Sequence, residues 1–252
     1  MNVCRICEAP LAFWNTAREM HFGTRETFDY LICTDCGCLQ IAETPGELGR
    51  FYPADYYTQR DRSVSSQAPT PISRLRIART SLVLRAGPSA RRLAGRRYGR
   101  FEWFTQTSTR RDDSILDVGC GSGRLLRNLH RDGFTELTGI DPDLACNPSD
   151  ELSPRFERRS LEEHVRTLRA RREERAAKDR DRGRHAYHLV MSHHSFEHVV
   201  DPREAFRSLA CLTRPGGLLL LRLPLADSWA CRYYGVDWCS SMLRATYICT
   251  RG

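Results

Sequence analysis

The chain has 252 residues, of which 40% are hydrophobic, enough for one full core with a small second module. Its net charge of +8 comes almost wholly from arginine, because Lys178 is the only lysine. The arginines are scattered rather than interleaved with aromatic residues on one face, which argues against a nucleic-acid partner. The longest apolar run, GLLLLRLPL, is too short and interrupted to span a bilayer. With no signal-peptide pattern at the start, we expect a cytoplasmic protein without a membrane partner.

The first cysteines of the chain come in two Cys-x-x-Cys pairs. Cys4 and Cys7 precede Cys33 and Cys36, with 25 residues between the pairs. In a reducing compartment this spacing predicts a closed structural zinc site, because four thiolates saturate the tetrahedral shell of zinc. The alternatives are two unrelated thiol pairs or a redox pair, and no thioredoxin-like pattern supports the latter. Nucleic-acid recognition by a zinc module is disfavoured by the poor basic clustering in residues 1–58.

Residues 59–111 are rich in Arg, Ser and Pro, and the run ISRLRIARTSLVL has helix-like apolar spacing. We interpret this part as a linker with one or two helices. Beyond it, strand-like stretches such as SILDVGC, ELTGIDPD, RFERRS, YHLVMSH and LLLLRLP alternate with helix-like ones. This alternation predicts an α/β domain with a parallel, Rossmann-like sheet. The charged segment after RFERRS is predicted to be an exposed helix.

The stretch SILDVGCGSGRLL leads an apolar strand into a glycine-rich turn. After Asp117, residues Gly119, Gly121 and Gly123 let the backbone turn sharply and approach a ligand without Cβ interference. The wider glycine spacing of dinucleotide-binding proteins is missing. Asp141 ends the next strand, where a carboxylate can accept both hydroxyl protons of a ribose. A ribose without a pyrophosphate indicates S-adenosylmethionine, and a strand–turn–helix without a ligand is the alternative.

At these residues the chain resembles the class I S-adenosylmethionine-dependent methyltransferases, over roughly residues 112–225. The resemblance implies that the three glycines wrap the methionine part of the cofactor and that Asp117 helps to hold its ammonium group. It also implies that Asp141 takes the ribose hydroxyls and that Ser160 and Leu161 border the adenine. His193 and His194 are expected to line the same cleft rather than to catalyse.

The combination of CRIC, CTDCGCLQ and FYPADYYT with this turn is similar to methyltransferases that carry an N-terminal zinc-binding domain, including C-methyltransferases of nucleotide-linked deoxysugars. That resemblance implies an active-site pair, Glu197 and His198, and a tyrosine, for which Tyr57 and Tyr56 are both candidates. The alternative is that the Glu-His pair only braces its loop.

The implied function is methyl transfer to a small polar acceptor, with C-methylation of a nucleotide-linked sugar as the first candidate. O-methylation of a small metabolite is the second. A remnant that binds zinc and cofactor without transferring a methyl group is the third.

The end of the chain matches this family less well. After GGLLLLRLP only 28 residues follow, without the helix and strand pair that usually complete such a sheet, so LLLLRLP is expected to be an uncovered edge. We predict four parts: a zinc module at 1–58, a helical linker at 59–111, an incomplete methyltransferase domain at 112–238, and an out-of-frame tail at 239–252 produced by a lost base after the Trp238 codon.

Overall fold

The structure is a computed structural model of the protein, and it describes residues 3–19, 24–44, 74–75, 77–81, 109–144, 154–176, 186–237 and 247–248. The chain forms two compact units. The first, called here the knuckle unit, comprises Met1–Tyr56, His193–Arg207 and Leu221–Gly252. The second, called the sheet unit, comprises Tyr57–Ser192 and Ser208–Leu220.

The knuckle unit contains a small antiparallel sheet. Its strands are ordered β1-β2-β3-β9, with bounds β1 (Leu11–Arg18), β2 (Thr27–Cys33), β3 (Leu39–Ile41) and β9 (Tyr247–Ile248). Tyr30 is fully buried, and with Ala17 and Ile41 it forms a core against which Trp14 and Phe28 pack. The same unit contains the short helix α4 (Trp229–Tyr234), whose N-cap Ser228 accepts a hydrogen bond from the Cys231 amide at 3.2 Å.

A five-stranded sheet carries the predicted alternation of strands and helices. In chain order the elements are β4 (Ile115–Val118), α1 (Arg124–Arg131), β5 (Leu137–Ile140), β6 (Arg155–Glu157), α2 (Leu161–Ala176), β7 (Tyr187–His193), α3 (Pro202–Leu212) and β8 (Thr213–Arg222). The strand order is β6-β5-β4-β7-β8, and β4 pairs in parallel with both β5 and β7. The central strands are short apolar runs because a parallel sheet is buried on both faces. The predicted Rossmann-like α/β fold is confirmed.

The core of the sheet unit lies around the glycine turn and α1. Leu126 and Leu129, three positions apart on α1, are fully buried against strand residues such as Ile115 and Leu189. The ring of Phe156, on β6, belongs to the same cluster. The turn after β4 is therefore fixed from beneath by a packed core.

Three further predictions from the sequence can be compared with residues that the structure describes. Helical residues occur at 74–75 and 77–81, inside the segment predicted to be a helical linker. The charged segment is helical as α2, but Leu161, His164 and Val165 are buried, so its first turns are not the exposed face that was expected. Among the described strands, β8 has a neighbour on one side only, and its leucines are half-buried. No helix in the described part of the chain is long and apolar enough to cross a membrane.

Candidate functional site

The glycine turn after β4, called here the glycine elbow, is built on left-handed backbone. Gly119, Gly121 and Gly123 have φ values of 76°, 54° and 70°, a region that residues with a Cβ rarely adopt. Gly123 is also the N-cap of α1, and a Cβ built there would overlap the ring of Phe156. Glycine at position 123 is thus required twice, by the backbone angle and by the close approach of the ring.

Asp141 is bonded directly to the elbow. Its Oδ2 accepts the Gly121 amide at 2.8 Å, and its Oδ1 accepts the Asp143 amide at 2.8 Å. The Gly119 amide bonds the carbonyl of Ile140 at 2.9 Å. The elbow and the end of β5 therefore form one hydrogen-bonded unit, in which each carboxylate oxygen of Asp141 keeps a further lone pair for a ligand.

Asp117, the third residue of β4, carries a carboxylate that is not compensated by the described protein. The residue is 3% exposed, and among the described residues its Oδ1 has no hydrogen-bond partner. Burial, with the nearby charge of Asp141 as a second cause, raises the pKa of Asp117 to about 8. A cation delivered by a ligand would offset both the cost of burying the Asp117 carboxylate and its repulsion from Asp141.

The turn between β6 and α2 is tied to Asp141 through the main chain. The Arg159 amide donates to the Asp141 carbonyl at 3.2 Å. Ser160 and Glu163 form a reciprocal capping box: the Ser160 amide donates to the Glu163 carboxylate at 2.9 Å, and the Glu163 amide donates to Oγ of Ser160 at 3.2 Å. The side chain of Ser160 is thus used to start α2, which leaves its backbone and the buried Leu161 as groups that can border a ligand.

The segment after β7 contains His193, at the end of the strand, and a 3₁₀ turn over Phe196–His198. Glu197 is 3% exposed, and its Oε1 lies 3.6 Å from Nδ1 of His194. Burial, followed by the charges of Arg222 and His194, lowers the pKa of His193 to about 4. Among the described residues, the imidazole within ion-pair distance of the Glu197 carboxylate is that of His194, three residues earlier in the chain.

The four predicted zinc ligands come together in the knuckle unit. The Sγ atoms of Cys4, Cys7, Cys33 and Cys36 all lie within 4.8 Å of one another. The Cys4–Cys36 and Cys7–Cys33 sulfur distances are 3.7 and 3.4 Å. Zinc–sulfur bonds of about 2.3 Å in a tetrahedron place the sulfurs about 3.8 Å apart, so the donor set fits a zinc ion.

The two Cys-x-x-Cys turns, called here the first and second knuckle, have the same backbone. The Glu8 amide donates to the Cys4 carbonyl at 2.9 Å, and the Gly37 amide donates to the Cys33 carbonyl at 3.1 Å. Glu8 and Gly37 have φ values of 67° and 68°. The side chain of Glu8 forms an ion pair with Arg203 at the start of α3. The first knuckle thus keeps a glutamate at a position that suits glycine.

Residues 87–252 match the family model described as "Methyltransferase domain". The chain belongs to this family of methyltransferase domains. With the parallel sheet, the elbow and Asp141 in place, it is a member of the class I S-adenosylmethionine-dependent methyltransferases, as its sequence motifs predicted.

Relatives of this methyltransferase include the ubiquinone biosynthesis O-methyltransferases of Citrobacter koseri and Aeromonas salmonicida. The first is 31% identical over 53% of this chain and 49% of its own length, and the second is 32% identical over 48% of each. The chain spans about half the length of the curated relatives it matches.

Among solved structures, the chain is similar to the plantazolicin methyltransferase BpumL bound to a triazolic desmethylPZN analog and SAH. That protein is 14% identical over 69% of this chain and 70% of its own, with a TM-score of 0.37. The chain is also similar to the sugar N-methyltransferase KedS8 from Streptoalloteichus sp ATCC 53650, which is 19% identical over 67% of this chain and 58% of its own, with a TM-score of 0.29.

Of the residues singled out in the methyltransferase sequence, the structure joins the elbow glycines to Asp141 and gathers the four cysteines. Tyr56 and Tyr57 lie outside the described residues. Sequence reasoning did not identify His194 as the partner of Glu197. The three-residue spacing between them was the available signal, because it places two side chains on one side of a helical turn.

Proposed function

We propose that this protein transfers a methyl group from S-adenosylmethionine to a small polar acceptor. The observation that carries the proposal is the buried carboxylate of Asp117 beside the glycine elbow. Its Oδ1 lacks a partner among the described residues, and its pKa is raised to about 8 by burial and then by Asp141. The α-ammonium group of the cofactor is a cation that would compensate this charge.

The remaining residues of the elbow supply the other contacts that an adenosyl sulfonium needs. Asp141, whose carboxylate oxygens each accept one backbone amide, would accept the two ribose hydroxyls with its remaining lone pairs. The backbone after β6, at Ser160 and the buried Leu161, would border the adenine. That His193 lines the same cleft stays a prediction from the sequence. When bound, S-adenosylmethionine supplies an electrophilic methyl group on a sulfonium.

Alignment of the acceptor with this methyl group in a cleft that excludes water is the main proposed source of catalysis. A proton acceptor from the segment after β7 is the second source. The family resemblance assigns that role to His198 with Glu197, and assigns a contact with the acceptor to Tyr57. The alternative, in which the Glu-His pair only braces its loop, predicts that loss of the imidazole leaves turnover unchanged.

For the acceptor, we propose a nucleotide-linked sugar methylated on carbon. The support is the sequence resemblance to zinc-domain sugar C-methyltransferases. A second candidate, O-methylation of a small metabolite, is favoured by the similarity to ubiquinone biosynthesis O-methyltransferases. Both acceptors are small molecules, and neither requires nucleic acid or a membrane as a partner.

We also propose that the four gathered cysteines hold a structural zinc ion. The support is their sulfur distances and the matching backbone of the two knuckles. A site with four protein thiolates has no open position for a substrate, so this ion would stabilise the knuckle unit and take no part in methyl transfer.

Calorimetry with S-adenosylmethionine tests the cofactor site. We expect binding to the metal-loaded protein, and a loss of roughly 10- to 100-fold in affinity for Asp141→Asn, because hydrogen bonds to a charged group contribute about 1.5–3 kcal/mol. The matched control is Asp143→Asn, which changes a neighbouring carboxylate that receives no elbow amide; its affinity should stay within about threefold. Absence of binding to the wild-type protein at millimolar cofactor would contradict the proposal.

A turnover screen then separates the candidate acceptors. Formation of S-adenosylhomocysteine is measured with nucleotide-linked keto-deoxysugars in one arm and with phenolic small molecules in the other. Turnover confined to the sugar arm supports C-methylation, and turnover confined to the phenols supports O-methylation. Cofactor binding without turnover in either arm favours the inactive remnant.

A further inference from the structure

The loop that follows β5 begins at Asp141 and is held at its other end by an arginine. The loop comprises residues 141–144, and Arg158, in the turn after β6, donates from Nη2 to the Leu144 carbonyl at 2.8 Å. Leu144 itself is 1% exposed and belongs to the core of the sheet unit. The end of this loop is therefore fixed both by a buried side chain and by a hydrogen bond from a charged group.

The same loop holds one oxygen of the Asp141 carboxylate. The Asp143 amide donates to Oδ1 of Asp141 at 2.8 Å, whereas Oδ2 accepts the Gly121 amide of the glycine elbow. Because Asp143 directly precedes Leu144 in the chain, release of the Leu144 carbonyl also loosens the amide that holds Oδ1. The hydrogen bond from Arg158 thus supports the orientation of this carboxylate.

The charge of Arg158 acts on the same carboxylate. Charged groups of the elements next to Asp141 include Asp117 on β4, Asp143 in its own loop, and Glu157, Arg158 and Arg159 at and after the end of β6. Burial raises the pKa of Asp141, and its two amide hydrogen bonds lower it. Of the nearby charges, that of Asp143 raises this pKa and that of Arg158 lowers it. Arg158 therefore favours the ionised form of Asp141.

We infer that Arg158 is a positioning residue of the cofactor site, which closes the loop after β5 and thereby holds the Asp141 carboxylate in place for a ribose. Its bond to the Leu144 carbonyl fixes the loop. Its positive charge favours the carboxylate form, which accepts hydrogen bonds from two hydroxyls. Arg158 acts through Asp141 and not through a contact with the cofactor. Its role in binding rests on the proposed function, whereas the closure of the loop does not.

The first test measures the exchange of the Asp143 amide proton with solvent by NMR and needs no ligand. In Arg158→Gln we expect this amide to exchange about three- to tenfold faster than in the wild type, because one hydrogen bond that closes the loop is lost. The matched control is Arg155→Gln, which removes an exposed arginine of β6 and should leave the rate unchanged. An unchanged rate in Arg158→Gln would show that the buried Leu144 holds the loop by itself, which overturns the inference.

The second test measures the binding of 5′-methylthioadenosine by calorimetry as a function of pH. This probe keeps the adenine and the ribose but lacks the ammonium group, so its binding does not require an ionised Asp117. At pH 7 we expect Arg158→Gln to bind it about three- to tenfold more weakly than the wild type. Affinity should be lost as the pH falls and Asp141 takes up a proton, and in Arg158→Gln this loss should begin at a higher pH.

Arg158→Lys separates the charge at this position from the shape of the side chain. It keeps the positive charge, so affinity should be lost at the same pH as in the wild type, with a neutral-pH affinity between those of the wild type and Arg158→Gln. Wild-type affinity in Arg158→Gln overturns the inference. So does a weaker affinity with an unshifted pH profile, which is the result expected of a purely structural role.

The two tests also distinguish this inference from the proposed function. If the wild-type protein binds neither S-adenosylmethionine nor 5′-methylthioadenosine, the proposed function is wrong and the binding role of Arg158 fails with it. Faster exchange of the Asp143 amide in Arg158→Gln would still establish that Arg158 closes the loop.

Discussion

The glycine elbow and the two knuckles need the same left-handed backbone, and they obtain it differently. At the elbow all three positions are glycine, with φ between 54° and 76°. In the knuckles the equivalent position is Gly37 in one and Glu8 in the other, with φ 68° and 67°. At Gly123 there is no space for a Cβ because of Phe156. At Glu8 a side chain is accommodated, and it forms an ion pair with Arg203.

The comparison of Gly37 with Glu8 shows that a residue with a side chain can occupy a left-handed backbone position that favours glycine. At Gly123 the left-handed position also has no room for a Cβ, whereas at Gly216 nothing lies within 4 Å of one. At position 8 a larger residue is accommodated, and its ion pair with Arg203 offsets at least part of the strain. His194, with φ 53° and a buried carboxylate beside its ring, follows the pattern of Glu8. Such positions are therefore candidates for a specific role.

The largest effect should come from removing the metal from the knuckles. Structural zinc contributes roughly 10 kcal/mol or more to folding in small zinc modules, so chelation should unfold the knuckle unit. Cys7→Ser and Cys36→Ser, one from each knuckle, should each lower the zinc content below one ion per chain. Metal analysis and circular dichroism provide the measurement.

Cys38→Ser is the control for the zinc prediction. Cys38 is also buried but lies outside the cluster, and its Sγ–H donates to the Leu39 carbonyl. This variant should retain one zinc ion per chain. If both knuckle variants also retain one ion, the two knuckles do not form a single site.

The next effect separates strain from packing at the elbow. Gly123→Ala should cost about 1–2 kcal/mol for its left-handed φ and roughly 1–3 kcal/mol more for overlap with Phe156. Gly216→Ala has φ 73° but nothing within 4 Å of the new Cβ, so it should show only the first cost. Denaturant unfolding measures both variants. Equal losses in the two would show that Phe156 yields easily and that packing does not explain glycine at 123.

The third effect should be a dependence of the free energy of unfolding on pH, caused by Asp117. Its pKa is about 8 in the folded protein, through burial and then Asp141, against about 3.9 when unfolded. At pH values between these two pKa values, Asp117 holds a proton in the folded state that it has lost in the unfolded state. The free energy of unfolding therefore falls as the pH rises toward 8. Asp117→Asn should remove this slope, and its free energy of unfolding should exceed that of the wild type increasingly from pH 5 to pH 8.

The same substitution should weaken the cofactor site. Binding of an ammonium group favours ionised Asp117, so at pH 7 the wild-type protein should release a proton on binding S-adenosylmethionine. This release appears as a dependence of the calorimetric enthalpy on the ionisation enthalpy of the buffer. Asp117→Asn should bind roughly 10- to 100-fold more weakly, since a charged hydrogen bond is lost, and without proton release. Proton release that persists in this variant would assign the raised pKa to another group.

The parts of the structure that follow from local chemistry were predictable. Glycine frees the backbone wherever it occurs, so the three elbow glycines and the acid ending the next strand identified the turn before its hydrogen bond from Gly121 to Asp141 was known. Cysteine spacing predicted the cluster of four sulfurs in the same way. The alternation of apolar runs with amphipathic stretches predicted the parallel sheet, because a short apolar run indicates a buried strand and an amphipathic stretch indicates a helix.

The rest depends on partners that are distant in the chain. In the described part of α2 the charged side chains conceal a buried edge, where His164 lies 3.3 Å from Glu157 and 3.2 Å from the hydroxyl of Tyr187. Nothing in the sequence marks Glu8 as left-handed, since that backbone is imposed by the knuckle. The pairing of Glu197 with His194 requires the turn after β7 to be known.

The smallest effect tests the knuckle comparison directly. Glu8→Gly makes the first knuckle identical to the second at this position, and it should relieve about 1 kcal/mol of left-handed strain. It also removes the ion pair with Arg203, whose side chains are 68% and 44% exposed, and a pair in that setting contributes at most about 1 kcal/mol. The net change in the free energy of unfolding should therefore lie between zero and about 1 kcal/mol of stabilisation. Arg203→Ala removes the same ion pair without changing the knuckle backbone, so the difference between the two variants isolates the strain at position 8. If Glu8→Gly is the less stable of the two, the glutamate is retained for more than its ion pair.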